Sequence, residues 1–325
     1  MSKRIFDEYV ERVIKSECLG REEALSLLRI PQEHVFHVFA AANDLRHHFK
    51  GDKIDLCSVV NAKSGLCPED CAFCAQSIHH DTGVSEYALM GEREILEHAH
   101  AAEENRASRL GIVTSGRGID KEEVLERICS VLEAMEHESR LGRCASLGKL
   151  DHEQLQRLQR SGLERFHHNI ETSESFFPSI CSTHTYADRV ETIRAAKEVG
   201  LSVCCGGIFG MGESDEQRVE MALALRELRV DSVPLNFLYP VPGTRMENAP
   251  ALQPLEILKI IAMFRFLLPD KDIRVCGGRE RGLRSLQPLM YSAGANCTMV
   301  GNYLTTPGRK AEEDLEMITD LGLHY

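Results

Sequence analysis

Positive charge is scarce in this chain. Its 325 residues carry 38 lysines and arginines against 50 acidic side chains, a net charge of −12, with no run of like charges. That balance excludes a general affinity for nucleic acid or for an anionic membrane surface. Long apolar runs are missing too: none approaches the roughly 18 residues of a membrane span. The opening M-S-K-R-I-F-D-E is polar and lacks the apolar stretch of an export signal, so the expected compartment is the cytoplasm. Internal repeats, low-complexity tracts and flexible linkers are also lacking. Tryptophan is absent altogether, which excludes nothing.

Cysteine, by contrast, is abundant, with 12 in the chain. A reducing cytoplasm keeps thiols free, so these cysteines read as metal ligands or small buried residues rather than disulfides. Cys67, Cys71 and Cys74 fall in the stretch N-A-K-S-G-L-C-P-E-D-C-A-F-C-A-Q-S, from Asn61 to Ser77, with Phe73 just before the last of them. Thiolates spaced C-x3-C-x2-C on one loop can hold three irons of a [4Fe-4S] cluster and leave the fourth without a protein ligand. Such an open coordination position can bind a small molecule. Zinc is the competing ion, and it would take a further ligand from His79 or His80.

Residues 1–50 predict helices. Ile5, Tyr9, Val10 and Val13 recur at helical spacing, a second helix begins near Arg21, and a third opens at Pro31 and runs through Val35, Val38 and Phe39. Beyond them, short β-branched runs alternate with amphipathic stretches. Strands are expected at Ile54–Val60, Leu110–Thr114, Arg143–Leu147, Arg165–Ile170, Leu201–Gly207, Ser232–Leu238, Ile273–Gly277 and Thr298–Gly301. Helices are expected at Gly91–Glu104, Lys121–Glu138, His152–Ser161, Tyr186–Val199, Asp215–Leu228 and Leu255–Leu267. Alternation at this spacing predicts a parallel sheet built from right-handed crossovers. The expected fold class is α/β, a (β/α)8 TIM-type barrel over residues 51–325 as one domain, with residues 1–50 as an N-terminal helical extension. A doubly wound sheet is the alternative, but the glycine-rich first turn of a dinucleotide site is absent.

Catalysis in such a barrel sits at the C-terminal ends of the strands, and the unusual residues cluster there. They include Thr114–Gly118 (T-S-G-R-G), where glycines let backbone come close to a ligand, and Phe166–Ser173 (F-H-H-N-I-E-T-S). Residues two apart on a strand share a face. Arg274 therefore points with Cys276, Cys204 points with Ser202 and Gly206, and Cys205 points the other way. If Arg274, Cys276, Cys204 and Cys144 face the lumen, a space that barrels fill with Val, Ile and Leu holds an arginine and three thiols. A charge buried there needs an anionic or metal–sulfur partner.

The C-x3-C-x2-C loop with its aromatic resembles the radical S-adenosylmethionine (SAM) superfamily. The longer string S-G-L-C-P-E-D-C-A-F-C-A-Q-S resembles the biotin synthase family within it. Further similar blocks follow in the same order at Val203–Glu213, Pro234–Thr244, Ile273–Glu280 and Gly301–Gly308, so the likeness spans roughly residues 50 to 320. It implies that Cys67, Cys71 and Cys74 hold a [4Fe-4S] cluster whose open iron chelates SAM. An electron then cleaves SAM to methionine and a 5′-deoxyadenosyl radical, which abstracts hydrogen from dethiobiotin. A second, auxiliary cluster in the barrel gives the sulfur of biotin, making the chain a transferase of biotin biosynthesis. Phe73, Asn169, Glu171 and Arg189 are implied around SAM, with Glu171 on the ribose hydroxyls and Arg189 on the carboxylate. Asn169 and Asn236 are implied on dethiobiotin, and Thr305 and Thr306 on its carboxylate.

For the auxiliary cluster the resemblance implies three cysteines and an arginine. Cys144, Cys204 and Arg274 match; the fourth position is Gly111. Cys276, where the family pattern has serine, and the extra Cys205 suggest a rebuilt cluster on Cys144, Cys204 and Cys276 with Cys205 or Arg274 near, either [2Fe-2S] or a larger [4Fe-4S] type. Cys18, Cys57, Cys129, Cys181 and Cys297 read as packing or surface residues. The resemblance further implies a homodimer and an electron donor such as flavodoxin or ferredoxin. Within the superfamily, a hydrogenase-maturase-like or methylornithine-synthase-like enzyme is the alternative; outside it, an electron carrier or iron–sulfur sensor.

Overall fold

Short β-branched runs and amphipathic stretches fold as their periods dictate. The computed structural model describes residues 3–325. Helices α1 (Lys3–Ile14), α2 (Arg21–Leu28) and α3 (Val35–Lys50) come first, with α3 entered through a short 3₁₀ turn capped by Pro31. Then follow β1 (Asp55–Lys63), α4 (Glu92–Glu104), β2 (Arg109–Thr114), α5 (Glu122–Glu138), β3 (Gly142–Ser146), α6 (His152–Arg160), β4 (Arg165–His167), α7 (Tyr186–Glu198), β5 (Ser202–Cys204) and β6 (Gly207–Phe209). The chain continues through α8 (Asp215–Glu227), β7 (Ser232–Phe237), α9 (Pro254–Leu267), β8 (Asp272–Val275), α10 (Arg279–Leu283), α11 (Leu289–Ser292), β9 (Cys297–Met299) and α12 (Ala311–Asp320).

All strand pairings in the sheet are parallel, in the order β5-β4-β3-β2-β1-β9-β8-β7-β6, and a further β5–β7 pairing closes the ring. The eight expected strands are present; the expected single strand over Leu201–Gly207 is instead broken into β5 and β6. The break has a local cause. Pro234 on the neighbouring β7 has no N–H to donate to the ladder. Gly206 lies so close against it that a Cβ there would meet Pro234 O at 2.0 Å. The second half of the strand therefore re-pairs with β7 from Gly207↔Leu235 onward. Together β5 and β6 act as the fifth stave of a closed (β/α)8 barrel.

The extension covers one flank of this barrel. Helices α2 and α3 pack on α9, α1 packs on α3, and α2 also meets α8. Residues such as Phe6, Leu27 and Leu45 join Ile261 and Phe264 in one buried apolar core. Helix α9 is consequently buried nearly all round, from Ile257 to Leu267, as expected of a helix without a polar face. Below the barrel, the buried Arg265 guanidinium donates to the carbonyls of Gly294, Pro269 and Lys271 and to Asn296 Oδ1. At the opposite end of the sequence α12 is held by a buried ion pair between Arg279 and Asp314. Among the described residues no helix is long and apolar enough to cross a membrane.

Candidate active site

The lumen side chains follow the two-residue period of the strands. Cys57 and Val59 on β1, Arg109, Gly111 and Val113 on β2, Cys144 and Ser146 on β3, Arg165 and His167 on β4, and Cys204 on β5 all line one central cavity. Pro234 and Asn236 on β7, Arg274 and Cys276 around the end of β8, and Met299 on β9 complete its wall. The cavity measures about 440 Å³ and runs from the barrel floor to the loops at the C-terminal ends of the strands.

At the mouth stands the cysteine loop that follows β1. Cys67, Cys71, Cys74 and Phe73 all line the cavity. The loop is held from several sides: Cys67 N donates to Gln76 O (3.0 Å) and Ile78 N to Cys67 O (2.9 Å). Ser77 Oγ donates to Glu69 O and Ser115 Oγ to Gly65 O, each at 2.6 Å. Leu66 beside Cys67 takes a left-handed backbone at φ 52°, and so does Glu171 across the cavity at φ 66°. Non-glycine residues in that region are held there by their surroundings and concentrate at functional sites. The two histidines beside the loop each rest one ring nitrogen on a backbone carbonyl, His79 Nε2 on Pro68 O and His80 Nδ1 on Cys74 O. Burial pushes the Cys74 thiol up to about 11, so a cation that binds it at neutral pH must displace its proton.

Asn169, Glu171 and Arg189 meet beside this loop. Arg189 Nη1 donates to Asn169 O (3.0 Å) and lies 3.4 Å from Glu171 Oε1. Asn169 Oδ1 accepts from Gly206 N at 3.0 Å, and Asn169 Nδ2 reaches Glu171 Oε2 at 3.4 Å. Arg189 is delivered by α7, whose start is fixed by a capping box of Thr185 with Asp188. Lys149 Nζ sits 2.6 Å from Asp188 Oδ1, and this lysine, with the Thr185 hydroxyl and amide, holds the Asp188 carboxyl well below the usual range. Asn236 spans two backbones, accepting from Gly277 N and donating to Gly207 O. Thr305 lines the cavity with Leu304 and Tyr303; Thr306 does not, and its carbonyl instead accepts from Tyr303 N. In the T-S-G-R-G loop, Gly116 lines the cavity, but Gly118 makes its close approach to a neighbouring loop, where a Cβ would meet Lys149 O at 2.3 Å.

The floor holds four thiols, on Cys57, Cys144, Cys204 and Cys276, around Arg274. Arg274 Nη2 donates to Asp55 Oδ2 at 2.7 Å, while its Nη1 is buried with no partner. Burial raises the Cys204 thiol, but His167 beside it and Arg274 outweigh that and pull it below its ordinary value. Burial pushes Cys276 and Cys57 up. Gly111 stands level with Cys144 in the ladder and contributes no side chain to the lumen. An unanswered guanidinium N–H facing four thiols, with an empty wall at Gly111, fits a sulfide-rich anionic group.

Cys205 and Cys57 differ from expectation, and Cys181, buried in a small apolar cluster as a packing residue would be, makes a contact that was not foreseen. Cys205 is outside the cavity, in the apolar layer between sheet and helices, because strand alternation turns it away from Cys204. Cys57, expected as packing, is a lumen thiol; its alternation with Val59 was the available signal. Cys181, also expected as packing or surface, is buried at the mouth with its Sγ 3.9 Å from that of Cys71. Nothing in the local sequence marks that contact, which joins loops far apart in the chain. Tyr303 too was not expected; its hydroxyl meets Glu280 Oε1 (2.8 Å) and Arg279 Nε (3.3 Å).

Comparison with known proteins bears on this cavity. The Radical SAM superfamily profile matches residues 63–225, and the Biotin and Thiamin Synthesis associated domain profile matches residues 234–324. The chain is 53% identical over 312 residues to the biotin synthase of Geotalea uraniireducens (strain Rf4), covering 96% of this chain and 95% of that one. It is 51% identical over 317 residues to the biotin synthase of Geobacter sulfurreducens, covering 98% and 96%. Among solved structures, a methylornithine synthase superposes with a TM-score of 0.85 at 20% identity, covering 97% of this chain and 96% of that one. The FeFe-hydrogenase maturase HydG from Carboxydothermus hydrogenoformans superposes with a TM-score of 0.82 at 17% identity, covering 99% and 79%. At those identities the structural likeness concerns the fold alone.

Proposed function

The chain belongs to the biotin synthase family of the radical SAM superfamily, and from that premise we propose how its central cavity divides the work of converting dethiobiotin to biotin. The family's bound groups, a [4Fe-4S] cluster with SAM at the mouth and an iron–sulfur group on the floor, supply hydrogen abstraction and sulfur donation. The protein's residues hold and orient.

Cys67, Cys71 and Cys74 would anchor the mouth cluster and, being three, leave one iron open for SAM. Arg189 presents its guanidinium where a carboxylate can take a charge-assisted hydrogen bond. Glu171 can accept from ribose hydroxyls, and Phe73 walls the same space. Asn169 bridges the cofactor and substrate positions. Asn236 faces the lower cavity, where a urea can exchange donors and acceptors with an amide, and Thr305 stands at the mouth for the substrate carboxylate. Thr306 supports it by closing the turn through Tyr303. On the floor, Cys57, Cys144, Cys204 and Cys276 form the ligand set, with Cys57 and Cys276 replacing the thiol missing at Gly111. Arg274 would offer Nη1 to cluster sulfur while Nη2 stays on Asp55. Four thiolates can hold either a [2Fe-2S] or a [4Fe-4S]-type floor cluster, and the iron count tells them apart. The barrel 51–325 is the catalytic unit, with 1–50 as its packed extension. The reductant class, flavodoxin or ferredoxin, and a homodimer rest on the resemblance alone.

The observation that carries this reading is one cavity with three thiols at its mouth and four thiols around a half-paired arginine at its floor. Anaerobic reconstitution is expected to load more iron than the mouth cluster's four, about six per chain for a [2Fe-2S] floor cluster or about eight for a [4Fe-4S] one, and Cys57→Ser and Cys276→Ser each to lower that number while leaving SAM cleavage in place. A chain that saturates with only the mouth cluster sinks the floor assignment. Feeding dethiobiotin with SAM and reductant is expected to yield biotin; SAM cleavage without it would favour a maturase-like chemistry.

A further inference from the structure

Cys181 plays no part in the reading above, yet it is among the most deliberately surrounded thiols in the protein. Its Sγ lies 3.9 Å from Cys71 Sγ, 3.2 Å from Asp70 Oδ1 and 3.2 Å from His184 Nδ1. Both cysteines are buried, at 8% and 5% exposure. The backbones on either side are already joined, because Ala72 N donates to Ile180 O at 2.8 Å. The peptide groups that flank the two cysteines are therefore hydrogen-bonded neighbours, so the two thiols spring from adjoining backbone and meet across it. Asp70 fixes the same contact from its other side, accepting from Ser182 N (2.9 Å) and Ser182 Oγ (2.6 Å).

Two chemistries could use such a pair. A single metal ion would need His184 as third ligand, but both its ring nitrogens are engaged, one by Glu69 Oε2 at 2.5 Å and the other by Arg189 Nε at 3.1 Å. The alternative is a sulfur–sulfur bond. Only Cys71 lines the cavity; Cys181 lies behind it. A small oxidant entering by the mouth therefore meets Cys71 first, with Cys181 as a second thiol poised beside it.

We propose that Cys181 is the resolving cysteine for Cys71, closing a Cys71–Cys181 disulfide when peroxide strips the mouth site of its cluster. This rests on the reading of Cys71 as a cluster ligand. The freed Cys71 thiol attacks hydrogen peroxide, forming a sulfenic acid and one water. Cys181 sulfur then displaces the hydroxyl, which leaves with the Cys181 proton as a second water. Two thiols are oxidised and one peroxide is reduced. The bond holds Cys71 at a level that thiols can reverse and keeps it from the irreversible sulfinic acid.

The test uses the full-length, reconstituted protein. Iron is measured first, which reports on the cluster reading separately. The protein is then treated with hydrogen peroxide, alkylated and mapped by mass spectrometry without reductant. The expected result is a dominant cross-link between Cys71 and Cys181. A Cys71 linked to Cys67 or Cys74 instead, or alkylated Cys181 beside over-oxidised Cys71, overturns the proposal. Cys181→Ser gives a second reading: Cys71 sulfinic acid is expected to rise several-fold, and iron reloaded after thiol reduction to fall to about half or less. Equal reloading in the variant removes the protective role.

Discussion

Arg274 is placed so that its charge is only half answered. One nitrogen of the guanidinium meets Asp55, the other faces thiols with nothing to donate to. Replacing it with methionine strands the Asp55 carboxylate, which keeps some contact with water. The expected loss is about 2 kcal/mol, below the 3–5 of a fully buried broken pair, measured by urea unfolding of the cluster-free chain beside the unsubstituted one. Gly148 offers a second test at this scale. It sits at φ 76° with room for no Cβ, which would lie 2.3 Å from Arg117 O. Gly148→Ala should therefore cost about 1–3 kcal/mol and loosen the Thr114–Gly118 loop. Single residues were unevenly legible in the sequence. Strand alternation alone paired Arg274 with Cys276 and turned Cys205 away. It also set Cys57 and Val59 on one face, but one strand cannot say which face looks inward; the ring must close before that is decided. Cys181 was invisible for a different reason, since its partner lies across the mouth on a separate loop with no period linking the two.

Helix α7 shows how an element aims a side chain into the cavity. Its cap, Thr185 with Asp188, sets where the first turn begins and hence where Arg189 points. Thr185→Ala is expected to cost about 1 kcal/mol and to weaken SAM binding more than it lowers turnover at saturating SAM. Asp188 adds a pH dependence. Its carboxyl is held down by Lys149 and by the Thr185 hydroxyl and amide, so its stabilisation is present above the unfolded carboxylate value and lost as pH falls through the lower folded one. The deficit of Asp188→Asn, read by thermal melts, should accordingly be largest near neutrality and shrink as pH drops below about 4. The strands and the six longer barrel helices were readable from periodicity, with ends shifting by up to three residues, as at β1 and β4, whereas α10, α11 and α12 were not expected. The fifth stave also differs, because Gly206 against Pro234 breaks a run that composition alone presents as continuous.

At the scale of the molecule, α9 belongs equally to the barrel and to the extension. Phe264 is fully buried, with Phe209 edge-on at 5.5 Å on the barrel side. Phe264→Ala should cost about 3–5 kcal/mol, with both halves melting in one transition by calorimetry; separate transitions would mean the extension folds apart. The barrel was foreseeable because strand and helix periods alternate so regularly. The extension's seat on α9 was hinted at only by the nearly unbroken apolar stretch Leu255–Leu268, whose outer face needed a cover. The ion pair between Arg279 and Asp314 carries one last implication. Arg279 also touches Tyr303, which braces the turn bearing Thr305. A protease that clipped α12 would remove the counter-ion of a buried cation and so slacken the rim from behind, although every residue that lines the cavity survived the cut.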